Sequence, residues 1–204
     1  MYNIDAVYKE KFFRQRKSLA WRTPIICNAI MNVFNPTSVV DFGCGNGDLI
    51  GELSKQPSIT STLAVEGTQN SLESIQSNYK GPLIIHDLRT PLVAPIRKFD
   101  LALCLEVAEH LEDEYAHVLT RSLTQSSNTI LFSAAGPDQG GIGHVNCRPF
   151  EYWFYKFMAF EFVRNINLTK LFNDSLLPWH NKKGIKAYFQ NAVVFVRGRV
   201  YNEQ

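Results

Sequence analysis

Cysteine is scarce in this sequence, and its placement argues against two classes of small protein. The four cysteines among 204 residues lie far apart, and no two of them form a C-x-x-C pair. This spacing argues against a structural zinc site and against a disulfide-stapled scaffold. Scattered cysteines are typical of a protein in a reducing compartment, so we expect a cytoplasmic location.

Long apolar runs and an excess of charge of one sign are also missing. No hydrophobic stretch approaches the ~20 residues that a membrane-spanning helix needs, and the first residues do not resemble a signal peptide. The net charge is only +2, which is well short of the basic footprint of a nucleic-acid-binding protein. We therefore expect a soluble protein, and neither a membrane nor a nucleic acid is the expected partner.

Short apolar segments alternate with helical patterns along the chain. The candidate strands cover residues 38–42, 63–65, 83–85, 100–105, 129–134 and 192–196. Residues 6–34 carry apolar side chains at helical spacing, and shorter helical patterns separate the strands. This alternation indicates βαβ units, in which a parallel sheet carries helices on both faces. A chain of 204 residues with 45% hydrophobic residues suffices for one domain but not for two.

Three alternate glycines directly follow the first candidate strand. Residues 41–48 read DFGCGNGD, with glycine at Gly43, Gly45 and Gly47. Glycine lets the backbone turn sharply and lets a ligand lie against it. A dinucleotide-binding fingerprint requires Gly or Ala where Asp48 stands, and a carboxylate there would repel a pyrophosphate. An acid on each side of the loop fits better with a ligand that has a positive centre and an amino-acid end.

The glycine loop resembles the first motif of class I S-adenosylmethionine-dependent methyltransferases. The resemblance continues with acids at the ends of the next two strands, Glu66 and Asp87, and with a fourth-strand segment that ends near Leu105. It implies a Rossmann-like fold in a single domain, with a seven-stranded, mostly parallel sheet whose last strand is antiparallel. It also implies that Glu66 binds the ribose hydroxyls of the cofactor and that Asp87 meets the adenine amino group. The alternative is that these acids only cap helices or form turns.

This resemblance implies S-adenosylmethionine as the cofactor and divides the domain into three parts. Residues 1–36 form an N-terminal helical segment, residues 37–135 the cofactor-binding core, and residues 136–204 a substrate-side loop, an aromatic helix and the final strand. The positions that we expect to bind the cofactor are Asp41, Gly43, Gly45, Gly47, Glu66, Asp87, Leu88 and Leu105.

A second group of polar residues follows the fourth strand. Glu106, Glu109 and His110 stand close enough in sequence for one helical turn to point them into the same cleft. His144, on a glycine-rich loop, is expected at the same edge of the sheet. Three interpretations stay open. The residues only cap or orient the helix, one histidine (His110 or His144) acts as a general base, or all four hold a divalent metal.

Further resemblances bear on the chemistry of this group. The Glu-x-x-Glu-His pattern resembles ubiquinone-pathway O-methyltransferases. It also resembles small-RNA 3′-terminal 2′-O-methyltransferases, in which a downstream histidine completes a metal site. The segment after His144 lacks the aromatic-Thr-Arg signature of the RNA enzymes. Residues 140–153, together with Gln190 and Asn191, resemble a group of bacterial methyltransferase-domain proteins of unknown substrate.

These resemblances imply an enzyme that O-methylates a hydroxyl of a small molecule or a glycan. One alternative is a metal-dependent RNA ribose 2′-O-methyltransferase. The other is a non-catalytic S-adenosylmethionine-binding subunit of a partner enzyme.

Overall fold

A seven-stranded sheet lies at the centre of the computed structural model, which describes residues 4–9, 11, 13, 16–92 and 98–198. The strands are β1 Ser38–Phe42, β2 Ser61–Glu66, β3 Leu83–Ile85, β4 Leu101–Leu105, β5 Thr129–Ser133, β6 Phe162–Arg164 and β7 Val193–Arg197. Their order in the sheet is β3-β2-β1-β4-β5-β7-β6. Strands β1 to β5 pair in parallel, and β7 runs antiparallel to both of its neighbours. The predicted Rossmann-like sheet with an antiparallel last strand is confirmed.

Helices cover both faces of the sheet. The α-helices are α1 Ile4–Val7, α2 Thr23–Phe34, α3 Asp48–Leu53, α4 Leu72–Asn78, α5 Ala116–Ser126, α6 Phe150–Met158, α7 Ile166–Leu176 and α8 Lys186–Asn191. Short 3₁₀ segments occupy Lys17–Arg22, Gln69–Ser71, Ala108–His110, Asp113–Tyr115 and Leu177–Trp179. Within the described residues, no helix combines the length and the apolar character that a bilayer crossing requires.

The hydrophobic core forms two layers, one on each face of the sheet. The first layer packs α2 and α7 against strand residues such as Val39 and Leu103. The second layer packs α5 and α6 against Val40 and Ala102. Neighbouring residues of one strand enter opposite layers because side chains alternate along a strand. A strand buried on both faces therefore reads as a continuous apolar run, as β4 (LALCL) does.

The sequence predicts six of the seven strands individually, and their bounds agree with the structure to within two residues. It does not predict β6, because three residues are too few to show a pattern. It also does not identify α7, in which Ile166 and Leu171 lie exposed and obscure the helical period.

The helical pattern expected over residues 6–34 includes residues 10, 12, 14 and 15, which lie outside the described residues, and its described part is divided into several segments. Helix α1 ends at Val7, the 3₁₀ segment Lys17–Arg22 follows later, and α2 begins at Thr23 with Pro24 in its first turn. Proline is accommodated there because the first helical N–H groups have no partner within the helix. Similarly, the helical segment between β4 and β5 begins as the 3₁₀ turn Asp113–Tyr115 and continues as α5.

The carboxyl ends of β1 to β4 meet at one edge of the sheet. Strand β1 leads into the glycine loop, β2 ends at Glu66, Asp87 lies two residues beyond β3, and β4 ends at Leu105. Ligands of open parallel sheets bind at this edge, because the loops that follow the strands meet there.

Candidate active site

A cleft that is partly open to solvent lies at this edge; the empty space within it and at its open mouth together is about 1210 Å³. Its walls come from the N-terminal segment, from the loops after β1 to β4 and from α8. It is lined by seven of the eight positions that the sequence predicts to bind the cofactor: Asp41, Gly43, Gly45, Glu66, Asp87, Leu88 and Leu105. The eighth position, Gly47, forms the N-cap of α3 instead.

The glycine loop adopts backbone conformations that other residues rarely adopt. Gly43, Gly45 and Gly47 have φ angles of 73°, 60° and 74°. A Cβ on Gly43 would lie 2.5 Å from a methyl carbon of Val107, whereas a Cβ on Gly45 would meet nothing within 4 Å. Gly43 is therefore needed for packing, and Gly45 leaves space in which a ligand can approach the main chain.

Two buried acids lie beneath the loop. Glu66 accepts hydrogen bonds from the Gly45 N–H at 2.8 Å and from the Gly67 N–H at 2.9 Å. Burial raises the pKa of Glu66 to about 7, although these N–H groups oppose the rise. Burial and the nearby Glu66 raise the pKa of Asp41 to about 7 as well. A positively charged ligand would offset the cost of burying these carboxylates and the repulsion between them. The site therefore favours a ligand with a positive charge.

An arginine that the sequence analysis did not single out holds the third acid. Arg89 Nη2 lies 2.7 Å from Asp87 Oδ2, and Arg89 Nε donates to both oxygens of the same carboxylate. Burial alone would raise the pKa of Asp87, but the hydrogen bonds from Arg89 outweigh it and lower the pKa. Asp87 is therefore an ionised acceptor at neutral pH. A single arginine two residues after an acid forms no motif, so the sequence offers no signal for it.

Three of the four polar residues expected to cluster come together in the structure. Ligand atoms of Glu109, His110 and His144 all lie within 4.8 Å of one another. Glu109 is fully buried, and neither of its carboxylate oxygens has a hydrogen-bond partner among the described residues. Burial and the nearby Glu106 raise the pKa of Glu109 to about 8. Glu109 Oε1 lies 4.0 Å from His144 Nε2, and a buried carboxylate beside two imidazoles is a donor set that suits a divalent cation.

Main-chain carbonyls orient both imidazoles. His144 Nδ1 lies 3.0 Å from the Gln139 carbonyl oxygen, which assigns the proton to Nδ1 and a lone pair to Nε2. His110 Nδ1 lies 3.2 Å from the Gly143 carbonyl oxygen and 2.7 Å from the Tyr8 hydroxyl. Burial lowers the pKa of His110 to about 4, so this imidazole is neutral at pH 7. Neutral imidazole is the form that binds metal ions.

Glu106 lies beside this group rather than within it. The sequence predicts one helical turn that would direct Glu106 together with the two residues of the cluster that follow it. Instead, Glu106 has a φ of 55°, and a 3₁₀ segment begins two residues later. Its side chain lines the cleft, and Oε1 accepts a hydrogen bond from Asn191 Nδ2 at 3.3 Å. Asn191 is distant in sequence, so spacing alone does not place it near Glu106.

Gly141 makes room for the His144 ring. A Cβ on Gly141 would lie 2.2 Å from His144 Nε2, whereas a Cβ on Gly140 would meet nothing within 4 Å. We expect Gly141→Ala to displace the ring and to shift its ¹⁵N NMR signals, because a main-chain Cβ cannot move aside. The matched variant Gly140→Ala is expected to leave these signals unchanged. Identical His144 signals in the two variants would contradict this packing.

Known proteins resemble the chain in sequence pattern and in fold. Residues 40–123 match the family model of a methyltransferase domain. No curated protein matches the chain in sequence. An S-adenosylmethionine-dependent methyltransferase from Clostridium acetobutylicum is 14% identical, with a TM-score of 0.64 over 92% of this chain and 98% of that chain.

Two further solved structures share the fold. The sugar N-methyltransferase KedS8 from Streptoalloteichus is 12% identical, with a TM-score of 0.66 over 98% of this chain and 96% of that chain. The methyltransferase domain of the bacterial CtHen1-C is 17% identical, with a TM-score of 0.62 over 88% of this chain and 99% of that chain.

The matched segment and the fold point to the same conclusion. Residues 40–123 include the glycine loop, Glu66, Asp87 and the first two residues of the polar cluster. The sheet order and the antiparallel last strand match the fold of the solved methyltransferases. Residues 40–123 therefore match a methyltransferase domain, within a chain that has the fold of solved S-adenosylmethionine-dependent methyltransferases.

Proposed function

We propose that this methyltransferase methylates a hydroxyl oxygen of a small molecule or a sugar. The observation that carries the proposal is the convergence of Glu109, His110 and His144 next to the cleft, which His110 lines. A hydroxyl acceptor must lose its proton, and a neutral imidazole can accept it; burial lowers the pKa of His110 to about 4, which leaves this ring unprotonated at neutral pH. A neutral amine already carries a lone pair and needs such groups less. The likeness to the sugar N-methyltransferase KedS8 makes sugars the first acceptors to assay.

We assign the cofactor contacts to the residues at the edge of the sheet. Glu66 would bind the ribose hydroxyls and Asp87 the adenine amino group. Asp41, Gly43 and Gly45 would surround the methionine part, with Leu88 and Leu105 as apolar walls and Gly47 acting through the start of α3. When bound, S-adenosylmethionine supplies a methyl group on a sulfonium centre, and alignment of the acceptor with that carbon contributes most of the rate. The buried Asp41 and Glu66 complement the positive charge.

We assign Glu109, His110 and His144 to a divalent cation. The buried carboxylate of Glu109 and the lone pair on His144 Nε2, which lies 4.0 Å from Glu109 Oε1, fit such an ion. Glu106, the fourth residue of the predicted set, lines the cleft beside them and lies outside the group whose ligand atoms converge. When bound, the ion supplies a Lewis acid that lowers the pKa of an acceptor hydroxyl. Without it, His110 or His144 takes the proton as a general base.

Chelation distinguishes deprotonation assisted by a metal ion from deprotonation by a histidine acting as a general base. We expect EDTA to lower methyl transfer by about 10²-fold or more, because a Lewis acid contributes several kcal/mol, and we expect Mn²⁺ to restore it. The affinity for S-adenosylhomocysteine should stay unchanged, since the groups assigned to the cofactor lie outside the cluster. Tritiated-methyl transfer and isothermal titration measure the two effects. Full activity after chelation would contradict the metal and assign the proton to a histidine.

Ribose 2′-O-methylation of RNA is the second candidate. The motif around Glu109 and His110 favours it, because it resembles the metal-binding motif of RNA 2′-O-methyltransferases. The missing aromatic-Thr-Arg signature after His144 and the small net charge count against it. A gel assay with short RNAs and labelled S-adenosylmethionine decides the question, and we expect no labelled RNA.

A non-catalytic cofactor-binding subunit is the third possibility. The polar cluster argues against it, because a protein that only binds the cofactor does not need groups on the acceptor side. Binding of S-adenosylhomocysteine without methyl transfer to any extract fraction would support it. The cytoplasmic location stays a prediction, which the four free cysteines support.

A further inference from the structure

The side-chain amides of Gln139 and Asn191 form a reciprocal pair next to the cluster. Gln139 Nε2 donates to Asn191 Oδ1 at 3.1 Å, and Asn191 Nδ2 donates to Gln139 Oε1 at 2.7 Å. The Gly136 N–H donates to the same Gln139 oxygen at 3.1 Å. Two amides paired in this way hold each other in one orientation, because a flip of either would place donor against donor.

Each member of the pair also contacts one residue of the site. Asn191 Nδ2 donates a second hydrogen bond to Glu106 Oε1 at 3.3 Å. The main-chain carbonyl of Gln139 accepts the hydrogen bond from His144 Nδ1 at 3.0 Å. Gln139 lies on the loop after β5, and Asn191 is the last residue of α8. The pair therefore connects a carboxylate of the cleft with an imidazole of the cluster.

We propose that Gln139 and Asn191 are positioning residues of the acceptor side of the site. They hold the Glu106 side chain in place and keep His144 in the tautomer whose Nε2 is free to bind a ligand. Neither residue belongs to the described lining of the cleft, so both act through the residues that they contact. This inference rests on the proposed role of the cluster and deepens it.

The environment of Glu106 shows why a donor is needed there. A non-glycine residue with a φ of 55° is strained, and such strain persists only where neighbouring groups hold it. The Glu109 carboxylate lies close enough to interact with the Glu106 charge, and like charges repel. A hydrogen bond from Asn191 offsets part of this repulsion. Asn191 thereby fixes a charge beside the cluster, and groups outside the ligands themselves influence the affinity of a metal site.

Asn191→Asp tests the pair with little change in volume. The new carboxylate cannot donate to Glu106 and repels it. We expect the affinity for Mn²⁺, measured by isothermal titration with the metal alone, to fall by about 10–100-fold. The affinity for S-adenosylhomocysteine should stay within about twofold of the wild type, a factor too small to reflect a lost hydrogen bond.

Gln139→Ala tests the link to His144 in the metal-free protein. Without its amide anchor, the Gln139 carbonyl is expected to move, and ring ¹⁵N NMR should then show His144 losing its preference for the Nδ1–H tautomer. Gln125→Ala is the matched control, because Gln125 is exposed on α5 and its removal should change neither readout. If either site variant fails to fold, Gln139→Glu supplies the test, because it keeps the acceptor oxygen for Gly136.

The two readouts separate this inference from the proposed function. A wild-type protein that binds no Mn²⁺ would overturn the metal site, and the tautomer of His144 would then decide the positioning role alone. A folded Asn191→Asp variant with wild-type Mn²⁺ affinity, together with an unchanged His144 tautomer in Gln139→Ala, would overturn the inference.

Discussion

Replacing His144 by alanine is expected to lower the rate of methyl transfer by about 10²–10⁴-fold, the range typical of a lost general base. A lost metal ligand would act in the same direction. The affinity for S-adenosylhomocysteine is expected to stay unchanged, because His144 is not among the residues that line the cleft. Tritiated-methyl transfer measures the rate, and isothermal titration measures the affinity.

His117→Ala is the matched control for this experiment. His117 is an exposed histidine on α5 whose ring contacts Phe160, outside the cluster. Its replacement should leave the rate of methyl transfer and the affinity for S-adenosylhomocysteine at the wild-type level. Wild-type turnover in His144→Ala would show that the cluster has no part in the reaction. A loss of affinity for S-adenosylhomocysteine would show that His144 contributes to cofactor binding and not to the acceptor side of the site.

Replacing Glu66 by alanine is expected to weaken the binding of S-adenosylhomocysteine by about 10–100-fold, the value of about one hydrogen bond to a charged group. The carboxylate holds the glycine loop through Gly45, and we assign it to the ribose hydroxyls. Isothermal titration measures the loss. The variant also removes acceptors for main-chain N–H groups, so its thermal unfolding must be recorded beside the wild type.

Two further variants separate charge from structure at this position. Glu66→Gln keeps the shape and one acceptor oxygen, so we expect a smaller loss of affinity than in Glu66→Ala. Glu73→Ala removes an exposed acid on α4 and should change nothing. Equal affinities of wild type and a folded Glu66→Ala protein would refute the assignment of Glu66 to the cofactor.

The central sheet was predictable because the apolar composition of each strand and the alternation of strands and helices along the chain indicate the same fold. Strand β4 is buried on both faces and therefore appears in the sequence as an unbroken apolar run, LALCL. Strand β6 and helix α7 were not predictable. Strand β6 has only three residues, and the exposed apolar side chains of α7 conceal its period.

The candidate site was predictable only where its residues follow strands. Glu66 and Asp87 stand at strand ends, where parallel topology brings separate segments to one edge. His144 was expected there for the same reason, on the loop after β5. The position of Glu106 was not predictable, because its left-handed backbone follows from tertiary contacts and not from residue type.

The supporting residues escape sequence reasoning for a related physical reason. Arg89, Asn191 and Gln139 act through hydrogen bonds to other side chains, and single amides or arginines leave no spacing pattern. Tyr8 reaches His110 from the N-terminal segment, more than a hundred residues away. Such contacts depend on how helices, strands and loops pack against one another. The alternation of strands and helices along the sequence does not predict this packing.

Transfer of a tritium-labelled methyl group from S-adenosylmethionine to fractionated cell extract tests the central claim most directly. The proposed function predicts that the wild-type protein places label in a small-molecule or glycan fraction, on an ether oxygen that resists hydrolysis by alkali. Label on nitrogen or in RNA would contradict the proposed acceptor. No label in any fraction, from a protein that binds S-adenosylhomocysteine, would contradict catalysis itself.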